Sequence, residues 1–572
     1  MVSSDGDEGC KGEKVDEGVT LQKESCKNTD LLLYSVDDVP PWSLCCLLGL
    51  QHYLTMVGST ITIPFILTPL LCIEDTDPVR GQLVCTIIFV SGLITLLQTT
   101  LGVRLPIVQG GTASFLVPTM AILTTSFPPC ADLPWANMTV GERQEEWQVR
   151  MREVQGAIAV SSLFQIIVGF SGLIGLLLTW ITPLAIVPTI TLVGLSLLRV
   201  AGRVASHHWG IAFMTMGLII IFSQFLKNVS LPIPVYTKSK GCSISWIPVF
   251  KLFPVLLAVV LSWCLCVVLT LTDALPPHNK ARTDLLTGLI TDSPWFSLPY
   301  PGQWGVPTVS VAGVVGMLAG VLASVIDSIG DYYACARMAG APPPPTHAVN
   351  RGIGVEGLGC MLGGLWGTGN GTSSYGSNIG VIGVTKVGSR RVVQVSGLIM
   401  LAFGMLGKVG TIFVTIPEPV MGGVFCVMFG MVAAVGLSTL QYVDLNSSRN
   451  LLVLGFSIFM GLAIPEWMRT NPDIINTGLP LLNQILTVLL KTSMFIGGFL
   501  GLLLDNTMPG TPEERGLIEW SAHLTTNKQQ QQQNSTYDLP FGMQAIRKAS
   551  WTRYIPFLPT YTGFTTKCCT RK

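Results

Sequence analysis

Two aspartates four residues apart, Asp327 and Asp331, sit inside the otherwise apolar stretch "VLASVIDSIGDYYACARMAG" (321–340). On a helix that spacing puts both carboxylates on one face. A carboxylate at the middle of a bilayer costs about 2.5–3.5 kcal/mol on insertion scales. Two on one face therefore need a cavity, a cation or hydrogen-bond donors. The chemistry this permits is binding: Asp327 is expected to accept from a substrate's donor groups, and Asp331 to help hold a coupling cation. The plain alternative is a span that ends early and leaves both in interfacial water. Asp331 is the more open to it, with Tyr332, Tyr333 and Arg337 following.

Two further stretches interrupt apolar sequence with glycine and small polar residues: "QGGTASF" (109–115) and "GTSSYGSNIG" (371–380). Bare backbone N–H and C=O groups in lipid cost several kcal/mol each, so a broken helix survives only inside protein or beside an aqueous cavity. A half-helix that starts there points N–H donors and a positive dipole end at whatever binds. Ser377 and Asn378, with Gly110, Thr112, Ala113 and Ser114, are the expected substrate contacts. Close helix packing through small residues is the competing explanation. In "LLGLQHYLTMVGS", His52 is an intramembrane ionisable group; a coupling role, shared with Gln109, stands beside a purely structural one. Glu356, in "GVEGLGCMLGG", and Thr385 are expected to support the site from behind, with a surface position as the alternative for Glu356.

Of the 572 residues, 49% are hydrophobic and 12% charged, about half the charge of a soluble domain. A helix needs roughly 20 mostly apolar residues to span a bilayer. Candidate spans lie near 43–70, 81–103, 105–125, 154–172, 174–197, 209–226 and 251–271, then 308–330, 352–367, 374–386, 391–408, 418–438, 450–466 and 480–504. This is an all-α polytopic membrane protein of fourteen segments. A formal net charge of +1 gives no electrostatic case for nucleic acid. No Walker loop, nucleophile elbow or HExxH appears, and no histidine or cysteine spacing suits a metal, so neither an enzyme nor an ATP-driven pump is expected.

Residues 1–40 are acidic and polar, with no signal-peptide pattern, and read as a disordered cytoplasmic tail. Residues 509–572 read as a second soluble tail, with "KQQQQQQN" and the basic finish "TKCCTRK". Cys568 and Cys569 are acylation candidates, with reduced cytosolic thiols the simpler reading. An even span count puts both tails on one side. With the amino terminus inside, Arg104, Lys238, Lys240, Arg337, Lys386, Arg390, Arg391 and Arg449 fall in inner loops as the positive-inside rule asks, and Arg199 and Arg203 are exceptions. Loop 126–153 then faces out and carries the glycosylation acceptor Asn137-Met138-Thr139. Cys72 and Cys130 also face out, and of the loop cysteines only these two are placed to pair.

Seven spans precede the polar linker 272–306, expected outside, and seven follow it. The two repeats, 41–271 and 307–508, are then inverted relative to each other, and the interrupted third and tenth spans hold equivalent positions. Paired interruptions of this kind point to a transport site at the midplane. A channel could use the same broken helices, but carboxylates beside crossed half-helices suit a closed, alternating site better.

These residues resemble the nucleobase–ascorbate transporter family. The family's tenth-span signature, roughly [Q/E/P]-N-x-G-x-x-x-x-T-[K/R/G], is similar to Ser377-Asn378-Ile379-Gly380 followed by Thr385-Lys386. The eighth-span pattern appears as Asp327-Ser328-Ile329-Gly330-Asp331, and Gln51-His52 and Gln109-Gly110 also match. "GDYYACARMAGAPPPPTHAVNRG" looks like the vertebrate branch. The resemblance covers residues from about 40 to about 520. It implies a core domain of spans one to four and eight to eleven, and a gate of spans five to seven and twelve to fourteen that often mediates dimers. Short extended pieces of spans three and ten would cross at the site. It also implies sodium symport at the plasma membrane without a cofactor, and as substrate a nucleobase (uracil or a purine) or L-ascorbate. Two departures stand out: Asp327 replaces the usual Glu, and Ser377 stands where ascorbate carriers have Pro. The second, with Gly110, Gly111 and Ala113, tilts the expectation to a nucleobase.

Overall fold

The computed structural model describes residues 32–175, 180–237, 241–471, 474–518 and 535–561. Its longer helices are α1 (Trp42–Thr60), α2 (Thr62–Leu70), α3 (Val79–Thr100), α4 (Ala113–Ser126), α5 (Val140–Ser171), α6 (Pro183–Ser196), α7 (Leu198–Ala205), α8 (Trp209–Ile220) and α9 (Pro254–Leu271). After the linker come α10 (Val311–Met338), α11 (Thr346–Trp366), α12 (Gly376–Thr385), α13 (Arg390–Gly404), α14 (Gly407–Val414), α15 (Glu418–Ser438), α16 (Ser448–Thr470), α17 (Pro480–Lys491) and α18 (Ser493–Thr507). Two three-residue strands, β1 (Gln109–Gly111) and β4 (Thr372–Ser374), pair with each other. A hairpin, β2 (Leu231–Thr237) and β3 (Gly241–Ile247), joins α8 to α9.

Among the described residues, eight helical stretches are long and apolar enough to cross a membrane, or nine if the α17–α18 pair, bent by 84°, is one span. α4 and α12, in the expected third and tenth spans, are shorter and each follows a strand, and α8 continues as a π-helical turn, Ile221–Phe225. Several expected boundaries move. The loop 126–153 is helical from Val140, because Thr139 and Glu142 form a reciprocal capping box that starts α5 early. α10 runs eight residues beyond the expected end at 330, through Met338. α6 begins at Pro183, whose fixed φ suits the first helical turn. α5 and α11 stop at Gly172 and Gly367, both at positive φ (76° and 73°), where a side chain would be strained.

The helices pack in two groups with a recurring pattern. α5 lies along α11 and α10, and α13 lies along α3 and α1. α6, α15, α16 and α18 form the centre of the second group, with α8 against α15. The groups meet where α17 packs on α10 and α4; a Cβ at Gly316 would lie 2.3 Å from Val488. Close approach through small residues recurs here, as expected where lipid offers no hydrophobic drive for association.

Cys72 and Cys130 form a disulfide, the pair expected from sequence. Beside it the buried Arg150 donates to Glu146, Leu70 O and Pro128 O, fixing the same cap. Both tails depart from expectation. Residues 32–40 are not a free tail: Leu33 donates to Lys386 O, and Gly388 and Arg390 donate back to Tyr34 O and Val36 O. Residues 535–561 also fold onto the helices. Tyr537 is 1% exposed and takes a 2.8 Å hydrogen bond from Arg351 at its carbonyl, and Phe557 packs on Phe170. Hydrogen bonds to backbone carbonyls, from Arg351, Arg390 and Asn350 side chains and from amides, hold both segments beside a few buried side chains such as Val36 and Tyr537, a pattern that composition does not reveal. The residues expected to be disordered at 1–31, the glutamine run, and Cys568 and Cys569 lie outside the described residues.

Candidate substrate and cation site

The two interrupted stretches meet. β1 and β4 pair antiparallel with Gln109 opposite Ser374, Gly110 opposite Ser373 and Gly111 opposite Thr372, and all six residues are buried. Each unwound segment thus satisfies amides of the other, which is how extended backbone persists between helices. Each strand runs almost at once into a helix, so the N-termini of α4 and α12 converge on the crossing. Thr112 caps α4 through Ser114 N, and its own amide donates to Asn370 Oδ1 at 2.9 Å. Gly110 is glycine for space: a Cβ there would lie 2.4 Å from the Tyr375 ring. The Tyr375 hydroxyl donates to Gly111 O at 2.8 Å and lies 3.1 Å from the Thr60 hydroxyl.

α10 brings the acids to this crossing. It is continuous through both aspartates, so the early helix end is ruled out. Asp327 and Asp331 are half-buried on adjacent turns. A Cβ at Gly376, the first residue of α12, would sit 3.2 Å from Asp331 Oδ1; the carboxylate therefore stands at the positive end of a half-helix. Among the described residues neither carboxylate accepts a hydrogen bond from the protein. Gly330, Gly376, Ser377 and Gly380 are exposed beside them, and a Cβ at Gly330 or Gly380 would meet nothing within 4 Å. These are acceptors and amides facing open space.

Glu356 is neither at a helix start nor on the surface. It lies mid-way along α11, fully buried. Its carboxylate accepts from Ser328 (2.5 Å), Tyr332 (2.8 Å), Ser324 (3.4 Å) and Ser374 (3.4 Å). Gln98 donates to the Tyr332 hydroxyl at 2.6 Å and Gln109 to Ser374 at 2.9 Å. Ser324, Ser328 and Tyr332 repeat every fourth residue, one position out of step with Asp327 and Asp331. α10 thus shows a hydroxyl stripe to Glu356 and, about 100° round, an acidic stripe to the open side. Sequence reading missed Ser324, Tyr332, Gln98 and Tyr375; the four-residue spacing of the hydroxyls was the available signal.

His52 and Asn378 were assigned different tasks and prove to be partners. His52 is buried, and the Asn378 amide donates to its carbonyl (2.9 Å) and its Nδ1 (3.1 Å). This places His52 against the first turn of α12, with its carbonyl and Nδ1 both engaged by Asn378. Gln109 likewise spends its amide on Ser374. Thr385 ends α12 by bonding Val381 O at 2.9 Å. Ser114 is buried and Ala113 half-buried at the start of α4. Asn137 is exposed on the turn before α5.

Crossed half-helices inside a polytopic helical bundle, with acids free of protein donors at their ends, are the architecture of a membrane transporter. Residues 45–470 match the permease family, Xan_ur_permease. The chain is 50% identical over 543 residues to "Solute carrier family 23 member 2" of Rattus norvegicus, covering 94% of this chain and 84% of that one. It is 50% identical over 544 residues to "Solute carrier family 23 member 1" of Mus musculus (94% and 90% covered). "Nucleobase-ascorbate transporter 2" of Arabidopsis thaliana is 38% identical over 526 residues (90% and 95% covered). Among solved structures, the transmembrane domain of a cyanobacterial bicarbonate transporter, BicA, superposes with TM-score 0.47 and 14% identity over 80% of this chain and 99% of that one. The chain belongs to the nucleobase–ascorbate transporter family.

Proposed function

We propose that the protein is a sodium-coupled symporter that carries a small flat ring, of the uracil or purine type, across the plasma membrane by alternating access. The observation that carries this reading is the pair of half-buried carboxylates, free of protein donors, beside exposed amides at the start of α12. A nucleobase presents adjacent N–H and C=O edges; Asp327 accepts from the first and the amides near Gly376 and Ser377 donate to the second. Asp331 has two oxygens to offer a hard cation such as sodium, whose charge offsets the second carboxylate. Gln109, Thr112 and Ser114 shape the site from the α4 side, and Glu356 holds α10 and β4 in register.

The recurring packing of α5 on α11 and α13 on α3 supports fourteen spans arranged as two inverted sevens, 41–271 and 307–508. One helix group then moves against the other, with dimer contacts through the second group. L-ascorbate is the second reading, since the Arabidopsis relative, "Nucleobase-ascorbate transporter 2", is named for both substrates. As an anion it needs more cation compensation beside two aspartates. Uptake of labelled uracil, hypoxanthine and ascorbate in one expressing cell line, with and without sodium, separates the readings. Sodium-dependent, saturable uptake of a nucleobase is expected. Ascorbate uptake alone selects the second reading, and non-saturable flux a channel. Asp331→Asn is expected to flatten the sodium dependence; an unchanged sodium curve removes it from the cation site.

A further inference from the structure

At the end of the molecule where both described chain ends fold back, a cavity of about 240 Å³ is lined by Arg104, Arg390 and Arg391 with Asp37, Thr100 and Gln394. Its charges do not balance. Asp37 is spent on Arg390 at 2.9 Å, and Asp538, the next carboxylate, pairs with Arg547 at 2.5 Å. Arg104 and Arg391 form no ion pair among the described residues. The Arg104 Nε is buried without a hydrogen-bond partner. Burial, then the neighbouring Arg390, push its guanidinium down to about 10. Arg104 also holds a left-handed backbone (φ 64°), unfavourable for a residue with a Cβ, and its carbonyl is clamped by Arg390 Nε at 2.7 Å. α13 opens at Arg390 beside the cavity, so the positive end of its dipole lies at the same end.

The cavity opens onto an apolar face. Arg391, Gln394 and Leu398 follow one another at helical spacing, and Leu398 is 54% exposed. On α1, which packs against α13, Trp42 and Leu47 are exposed as well. Basic groups at the level of the helix ends, continuing into bare apolar side chains along the helices, match the two parts of a lipid.

We propose that this pocket binds the phosphate-bearing headgroup of an anionic phospholipid, with the acyl chains lying along the Leu398 and Trp42 strip. Guanidinium forks suit phosphate oxygens, and basic pockets between spanning helices take such headgroups. The charge pattern of the loops assigns the site to the inner leaflet. Because Asp37, Arg390 and Pro540 line one cavity, an occupied site ties the amino-terminal segment, the helices and the carboxy-terminal segment together. The proposal is independent of the transported substrate.

The test uses the full chain in phosphatidylcholine nanodiscs, with thermal unfolding followed as dioctanoyl phosphatidylinositol 4,5-bisphosphate is added and inorganic phosphate added in a parallel arm. A saturable rise in melting temperature with the lipid, and none with phosphate at equal concentration, is expected. Arg391→Gln, at an exposed residue, keeps the unliganded melting temperature and shifts the lipid midpoint about tenfold upward, the effect of losing one charge-assisted hydrogen bond. Arg104→Gln does the same to the midpoint. An equal rise with inorganic phosphate alone makes this a free-phosphate site and overturns the lipid assignment. No response to either probe, or the same midpoint in Arg391→Gln as in the wild type, overturns the site itself.

Discussion

The side-chain amide of Asn378 spans the carbonyl oxygen and the Nδ1 of His52, at 2.9 and 3.1 Å, with both residues buried. Both amide protons are used, so Nδ1 must accept and the imidazole must carry its proton on Nε2. The pair fixes where α12 begins relative to α1. Asn378→Asp turns two donors into acceptors facing acceptors. It is expected to destabilise the protein by about 1–3 kcal/mol, the cost of a buried unsatisfied group. The loss should appear as a lower melting temperature in detergent, whichever substrate is present. A variant that melts with the wild type while losing uptake would return Asn378 to direct substrate contact.

Glu356 invites a two-variant comparison. Glu356→Ala strands the hydroxyls of Ser328, Tyr332 and Ser374 in a buried space, each costing about 1–3 kcal/mol. We expect loss of folded protein at the cell surface, read by surface biotinylation. Glu356→Gln keeps the shape and one acceptor, and its amide can donate to a serine hydroxyl. It is expected to reach the surface with uptake reduced about tenfold or less, from a network that is misaligned but not broken. Full surface expression of the alanine variant would show that the hydroxyl network carries little stability.

Much of this site was legible because membrane sequence makes polar groups conspicuous. Asp327, Asp331 and the glycine–serine interruptions at 109–115 and 371–380 stand out against hydrocarbon, and the structure brings them to one crossing. What was hidden is relational. Nothing in the local sequence says that Asn378 binds His52, more than three hundred residues away. The Ser324, Ser328 and Tyr332 stripe has a readable four-residue period, but its buried partner Glu356 lies on another helix. The folded tail segments were missed for a different reason: Tyr537 and residues 33–36 are held by backbone carbonyls taking arginine and amide donors, which composition does not register.

The acid limb of stability has a local source. Burial alone would raise the Asp75 carboxyl, but the bonded Lys280 ammonium and the Arg80 guanidinium at 2.8 Å outweigh it and hold it below the usual 3.8. For Lys280 burial acts downward, and Asp75 with Glu418 outweighs it, holding the ammonium above the usual 10.5. A depressed carboxylate contributes stability above its unfolded pKa and loses it as pH falls through the folded value. The window therefore lies below about pH 4 for Asp75, and the Lys280 contribution persists through neutral pH. Melting temperature measured from pH 7 to pH 3 should drop more steeply in the wild type than in Asp75→Asn. Parallel curves would mean that this half-buried cluster contributes nothing measurable, as many ion pairs near the surface do.

Tyr375 and Gly110 make the most specific steric prediction. A Cβ at position 110 would fall 2.4 Å from the tyrosine ring, and Tyr375 cannot retreat without giving up Gly111 O and Thr60. Gly110→Ala therefore overpacks the strand crossing, with a cost of about 1–3 kcal/mol. The ring, not the hydroxyl, causes the clash, so Tyr375→Phe should fail to rescue it. Tyr375→Ser empties the space, and the double variant Gly110→Ala/Tyr375→Ser should regain the melting temperature of Tyr375→Ser alone. That non-additivity is the signature of direct contact. If the two substitutions simply sum, the crossing is looser than the register of Gly110 opposite Ser373 requires, and the amides at the start of α12 are not held in place by this ring.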